Sequence, residues 1–107
     1  MRAGIPVPFK IEFDLHEWIP DMSFQMQSFA EVRKLQSEFE QCRGEWPTGE
    51  TRVWETSSHM RERALAVLRN YLSHSRVLVV CHGTLIKSVS GVSEVKLAGL
   101  VPFDLKN

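Results

Sequence analysis

Val77-Leu78-Val79-Val80-Cys81-His82-Gly83-Thr84-Leu85-Ile86-Lys87 is the stretch that decides the fold. Its first five residues form a continuous apolar run, the pattern of a strand buried on both faces inside a parallel sheet. His82-Gly83-Thr84 makes a tight turn, and Leu85, Ile86, Val89 and Val92 then recur at helical spacing. In open α/β sheets the crevice at the carboxyl end of such a strand is where ligands bind. Gly83 permits close approach, and the amides at the helix start favour an anion. His82 is therefore a candidate donor to a phosphate oxygen, its competing reading being a turn histidine bonded to backbone.

Upstream, Met60, Ala64, Val67, Leu68, Tyr71 and Leu72 share one face and predict a helix over 57–74, with Thr56, Ser57 and Ser58 each able to cap its start. Met26, Phe29, Val32, Leu35, Phe39 and Cys42 predict another over 24–43, with Gly44 as its stop and a loop over 45–53. Phe9-Lys10-Ile11-Glu12-Phe13 alternates with period two, as an edge strand with one wet face does. Pro6 and Pro8 keep residues 4–8 out of a helix. Helices alternating with strands make the class α/β. One central and one edge strand are too few for a doubly wound sheet, so the predicted domain is single and incomplete.

The 13 basic and 13 acidic residues cancel, so no global field recruits nucleic acid or an anionic membrane. No apolar run reaches the ~20 residues of a membrane span, and the first nine residues lack a signal peptide's apolar stretch. Two cysteines make no disulfide framework, and Cys81 reads as a buried thiol. A soluble, cytoplasmic protein is expected. The scattered histidines and two cysteines show no zinc spacing, so no metal is expected. A cysteine-based phosphatase loop needs Arg six positions after its Cys, where Lys87 stands instead.

Leu15-His16-Glu17-Trp18 supplies the second candidate. A carboxyl beside an anion site can act as general acid, its competing reading being a surface charge. Arg61, Arg63, Arg69 and Arg76 read as a solvated helix face, His59 and His74 as exposed helix residues, and Trp18, Phe24 and Trp46 as packing groups.

Residues 77–87, the run Glu55-Thr56-Ser57 leading into Met60-Arg61-Glu62-Arg63, and Leu15-His16-Glu17-Trp18 together resemble the histidine phosphatase superfamily, in order and separation as well as in letters. The resemblance covers roughly residues 4–107. It implies a phosphoglycerate mutase-like three-layer α/β/α sandwich and phosphoryl transfer through a phosphohistidine, without a cofactor. It assigns Glu17 as proton donor, His82 as the second, phosphate-binding histidine, and His82, Gly83 and Thr84 as the phosphate turn. The implied ligand is phosphate or a phosphorylated small molecule.

The family's nucleophile lies in an Arg-His-Gly motif, and no such tripeptide occurs in these 107 residues. Arg2-Ala3 is similar to the arginine-alanine pair of the family's second motif, but Gly4-Ile5-Pro6-Val7 follows at once. Residues 101–107 resemble the lead-in to a closing strand. Residues 1–107 are thus expected to be one partial domain, truncated at both ends. In the family's strand order the two retained strands are not neighbours, which leaves residues 77–81 open on both edges. Such a chain is expected to be inactive alone. It is also expected to pair with itself as a homo-oligomer, or with a missing N-terminal segment. The alternative function is a noncatalytic phosphate-binding or assembly module.

Overall fold

The computed structural model describes residues 9–25, 28–96 and 99–105. Ser28 ends an extended approach, and its hydroxyl accepts from the Glu31 amide at 3.2 Å, opening α1 (Phe29–Gln41). The Ser-x-x-Glu spacing is the usual sequence mark of such a start. The predicted helix thus begins five residues late. Phe24 stands at φ 58, and the Asp21 carboxylate gathers the Ser23 amide and hydroxyl and the Gln25 amide. That local turn competes with helix. Met26 lies outside the described residues, as do the Gly4–Pro8 stretch, Arg2 and the last two residues.

α1 closes on a Schellman turn, with the Arg43 amide donating to Glu40 O and the Gly44 amide to Phe39 O at 2.8 Å. Gly44 has φ +80, and a Cβ there would lie 2.9 Å from the Ser57 Cβ. Its carbonyl accepts from the Ser57 amide at 2.7 Å, so the end of α1 is pressed against the start of α2 (Ser57–Leu68). Among the three candidate caps of α2, Thr56 does it, accepting from the His59 amide at 3.0 Å. α2 gives way to a 3₁₀ turn at Arg69–Tyr71, short of residue 74. α3 (Gly83–Ser90) follows directly on His82.

Met60, Ala64 and Leu65 of α2 bury against Leu85 and Val89 of α3, with Leu15, Trp18, Phe39, Leu68, Cys81 and Leu105 around them. A second, aromatic nucleus joins α1 to the loop before α2. Trp54, fully buried, meets Phe39 edge-on at 5.3 Å and Trp46 at 6.5 Å. Its indole N–H donates to Glu38 Oε1 at 3.0 Å, and Arg52 donates to the same oxygen. Trp18 and Trp46 are packed as expected, whereas Phe24 is 74% exposed.

The two predicted strands are not formed: the described residues hold three α-helices, two 3₁₀ turns and no strand. Residues 77–81 run without a ladder, and Leu78 and Val80 are 78% and 87% exposed. A strand is defined by its neighbour, and none of the described residues pairs with this one. Over residues 9–13 the apolar side chains face solvent. Phe9, Ile11 and Phe13 are exposed, while Glu12 accepts the Tyr71 hydroxyl and Lys10 lies 5.9 Å from the Tyr71 ring centroid. The chain then turns into a 3₁₀ segment at Phe13–Leu15. The α/β/α sandwich is therefore not present in the described residues. No helix among them is long and apolar enough to cross a membrane.

Candidate functional site

α3 begins with His82 as its N-cap, in extended backbone (φ −122, ψ 154), and the imidazole makes no cap hydrogen bond. The cap comes instead from a residue far away in sequence. Glu17 Oε2 accepts from the Thr84 amide at 3.1 Å, and Oε1 from the Leu85 amide at 3.1 Å and the Trp18 amide at 2.8 Å. The carboxylate so satisfies two of the orphan donors at the positive end of the helix. Glu17, His82, Gly83 and Thr84 are thus brought together in one place. The amides of Thr84 and Leu85, natural donors to an anion, are held by Glu17.

At Gly83 an added Cβ would find nothing within 4 Å, so internal packing does not demand glycine there. The half-buried Thr84 faces a cleft of about 520 Å³ whose walls include Trp18, Phe39, Arg43, Ser57 and Lys87. Ser57 donates to Ser88 at 2.9 Å across it, and Ser88 donates to the Thr84 carbonyl. Cys81, half-buried just before the turn, has its thiol pushed up by burial.

Behind Glu17 lies a cluster that sequence reasoning missed. Glu55 is fully buried. Arg63 grips it with two bonds, Nε to Oε2 at 2.7 Å and Nη2 to Oε1 at 3.0 Å. His59 Nδ1 lies 2.6 Å from Oε2. Burial opposes ionisation of Glu55, but the Arg63 and His59 hydrogen bonds outweigh it and hold the carboxyl below its ordinary range. The solvated-face reading is therefore wrong for Arg63, which is nearly buried, while His59 is exposed at its edge but not idle. The signal was the spacing of four in Glu55, His59 and Arg63: His59 and Arg63 share one side of α2, and Glu55 stands just before its cap. Arg61 donates to Val89 O, and Arg69 and Arg76 are exposed. No group of three or more His, Cys, Asp or Glu among the described residues is placed to hold a metal.

A carboxylate and a His-Gly turn meet at a helix start, downstream of a Glu-Thr-Ser helix entry. The family model of the histidine phosphatase superfamily (branch 1) matches residues 1–107, and the chain belongs to that superfamily. No curated protein and no solved structure matches it. The family implies an α/β fold, of which the described residues supply the helices and the turn.

Proposed function

We propose that this chain carries the phosphate-binding and proton-donating half of a histidine phosphatase site. In this reading His82, the Gly83 amide and the Thr84 hydroxyl take phosphoryl oxygens, while the Thr84 amide stays with Glu17. Glu17 gives its proton to the leaving oxygen as the P–O bond breaks. The observation that carries the reading is the contact between Glu17 and Thr84, 67 residues apart and 3.1 Å away. The open space at Gly83 supports it by leaving room for a phosphoryl group.

The bond to phosphorus must form at a histidine of an Arg-His-Gly motif, which these 107 residues do not contain. Alone they form no phosphohistidine by that route. The expected result is no turnover of an aryl phosphate by the purified 107-residue chain. Turnover at ~1 per second or faster, the ordinary enzyme range, overturns the assignment. Abolition of such turnover by His82→Ala would place an unforeseen nucleophile at this turn.

A second reading, a noncatalytic phosphate-binding or assembly module, is favoured by the exposed apolar residues at 9–13 and 77–80. We place the α/β/α sandwich in the assembled state, its strands pairing with a second copy or with a segment bearing the missing motif. Sedimentation at micromolar concentration is expected to show dimers or larger species, and a stable monomer contradicts this arm. The reducing cytoplasm suits the two free thiols, Cys42 and Cys81.

A further inference from the structure

We propose that Arg63, anchored by Glu55, is a positioning residue that sets the Glu17 carboxylate against the start of α3. Residues 14–19 contain one turn of 3₁₀ helix and otherwise no regular structure. Their course is therefore set by bonds to other elements. Arg63 makes two of these, Nη1 donating to Asp14 O at 2.6 Å and Nη2 to Glu17 O at 3.3 Å. Glu55 makes three more: its carboxylate accepts the Ile19 amide at 3.2 Å, its carbonyl accepts the Trp18 indole at 2.8 Å, and its amide donates to Ile19 O at 3.0 Å.

The backbone on both sides of the Glu17 side chain is thus pinned to one guanidinium and to the carboxylate and backbone of Glu55. Only a planar fork can hold the Glu55 carboxylate and two separate carbonyls at once, so lysine is no substitute. Arg63 touches no reacting atom in the proposed site and acts through Glu17. Its catalytic meaning therefore rests on the proposed function, whereas its geometric effect does not.

The test follows the amide signals of Thr84 and Leu85 by NMR across acid pH in the 107-residue chain without phosphate. Both report protonation of the carboxylate they bond. The other titratable groups around Glu17 are His16, whose Nδ1 lies 2.8 Å from the Glu17 carbonyl, the Glu55–Arg63 pair, Cys81 and His82. Glu17→Gln therefore identifies the step that belongs to Glu17. In Arg63→Lys that step is expected to disappear from both amides while the α2 signals persist. In Glu55→Gln, which keeps side-chain volume and one acceptor oxygen, it is expected to shrink. Leu68→Ala, a packing loss away from the clamp, is expected to leave it in place.

A folded Arg63→Lys or Glu55→Gln chain with the wild-type step overturns the proposal, as does loss of the step in folded Leu68→Ala. Orthophosphate is then added to the wild-type chain. Silence at Gly83 and Thr84 removes the phosphate reading, and the pH step in the variants still decides the positioning role.

Discussion

Replacing Arg63 with methionine is expected to cost about 3 kcal/mol of stability at neutral pH, the scale for stranding one member of a buried ion pair. Glu55 has no exposed surface, and without the guanidinium its carboxylate keeps His59 as its side-chain partner. The bonds from Arg63 to Asp14 O and Glu17 O are lost together with the charge. The pH dependence follows from the direction of the shift. Glu55 is held below its ordinary 4.5, so its contribution is present above that value and is lost as pH falls through the folded pKa. Asp21, lowered by the Ser23 hydroxyl, and Glu38, lowered by the Trp54 indole, act with the same sign. In Arg63→Met, burial dominates and pushes the Glu55 carboxyl up. The gap between wild type and variant is therefore expected to narrow on acidification, beginning above 4.5, where the variant's carboxyl protonates, and continuing as pH falls through the lowered wild-type pKa. Thermal midpoints across that range check both parts. A gap independent of pH contradicts the ionic account.

Trp54→Ala is expected to cost about 3–5 kcal/mol, the range for emptying a buried aromatic site. Trp54 joins three things at once. It fills the space between Phe39 of α1 and Trp46 of the loop, it donates to Glu38, and its carbonyl accepts the Trp46 indole. Against a typical domain stability of ~5–15 kcal/mol, that loss unfolds a substantial share of the molecules. Trp54→Phe keeps most of the ring contact and gives up the Glu38 bond, at about 1 kcal/mol. Urea unfolding of the two variants separates packing from hydrogen bonding. Equal losses would show that the ring contacts contribute little.

These residues also show what was legible in the sequence. The helices were, because Met60, Ala64 and Leu85 must be buried together and because Thr56 stood among the candidate caps of α2, whereas the start of α1 at Ser28 was missed. The strands were not. Val77 to Val80 have every propensity for a sheet, but a ladder needs a second chain segment, and propensity carries no information about whether it is there. At residues 9–13 the expected strand is absent: Tyr71 offers Glu12 and Lys10 a partner, while Phe9 and Ile11 stay exposed. The His82 turn and Glu17 were each read as candidates from their own stretches, but their pairing came from the family resemblance, since no local pattern links positions so far apart. Arg63 escaped because a charge on a helix is usually solvated, and only the buried Glu55 makes it otherwise.

The most direct measurement is a titration of the isotopically labelled 107-residue chain with orthophosphate, followed at the amides of Gly83 and Thr84. Saturating shifts at both are expected, with a dissociation constant in the millimolar range, about −4 kcal/mol, and loss of the response in His82→Ala. Unmoved Gly83 and Thr84 signals, or an undiminished response in His82→Ala, would contradict the claim that this turn handles phosphate.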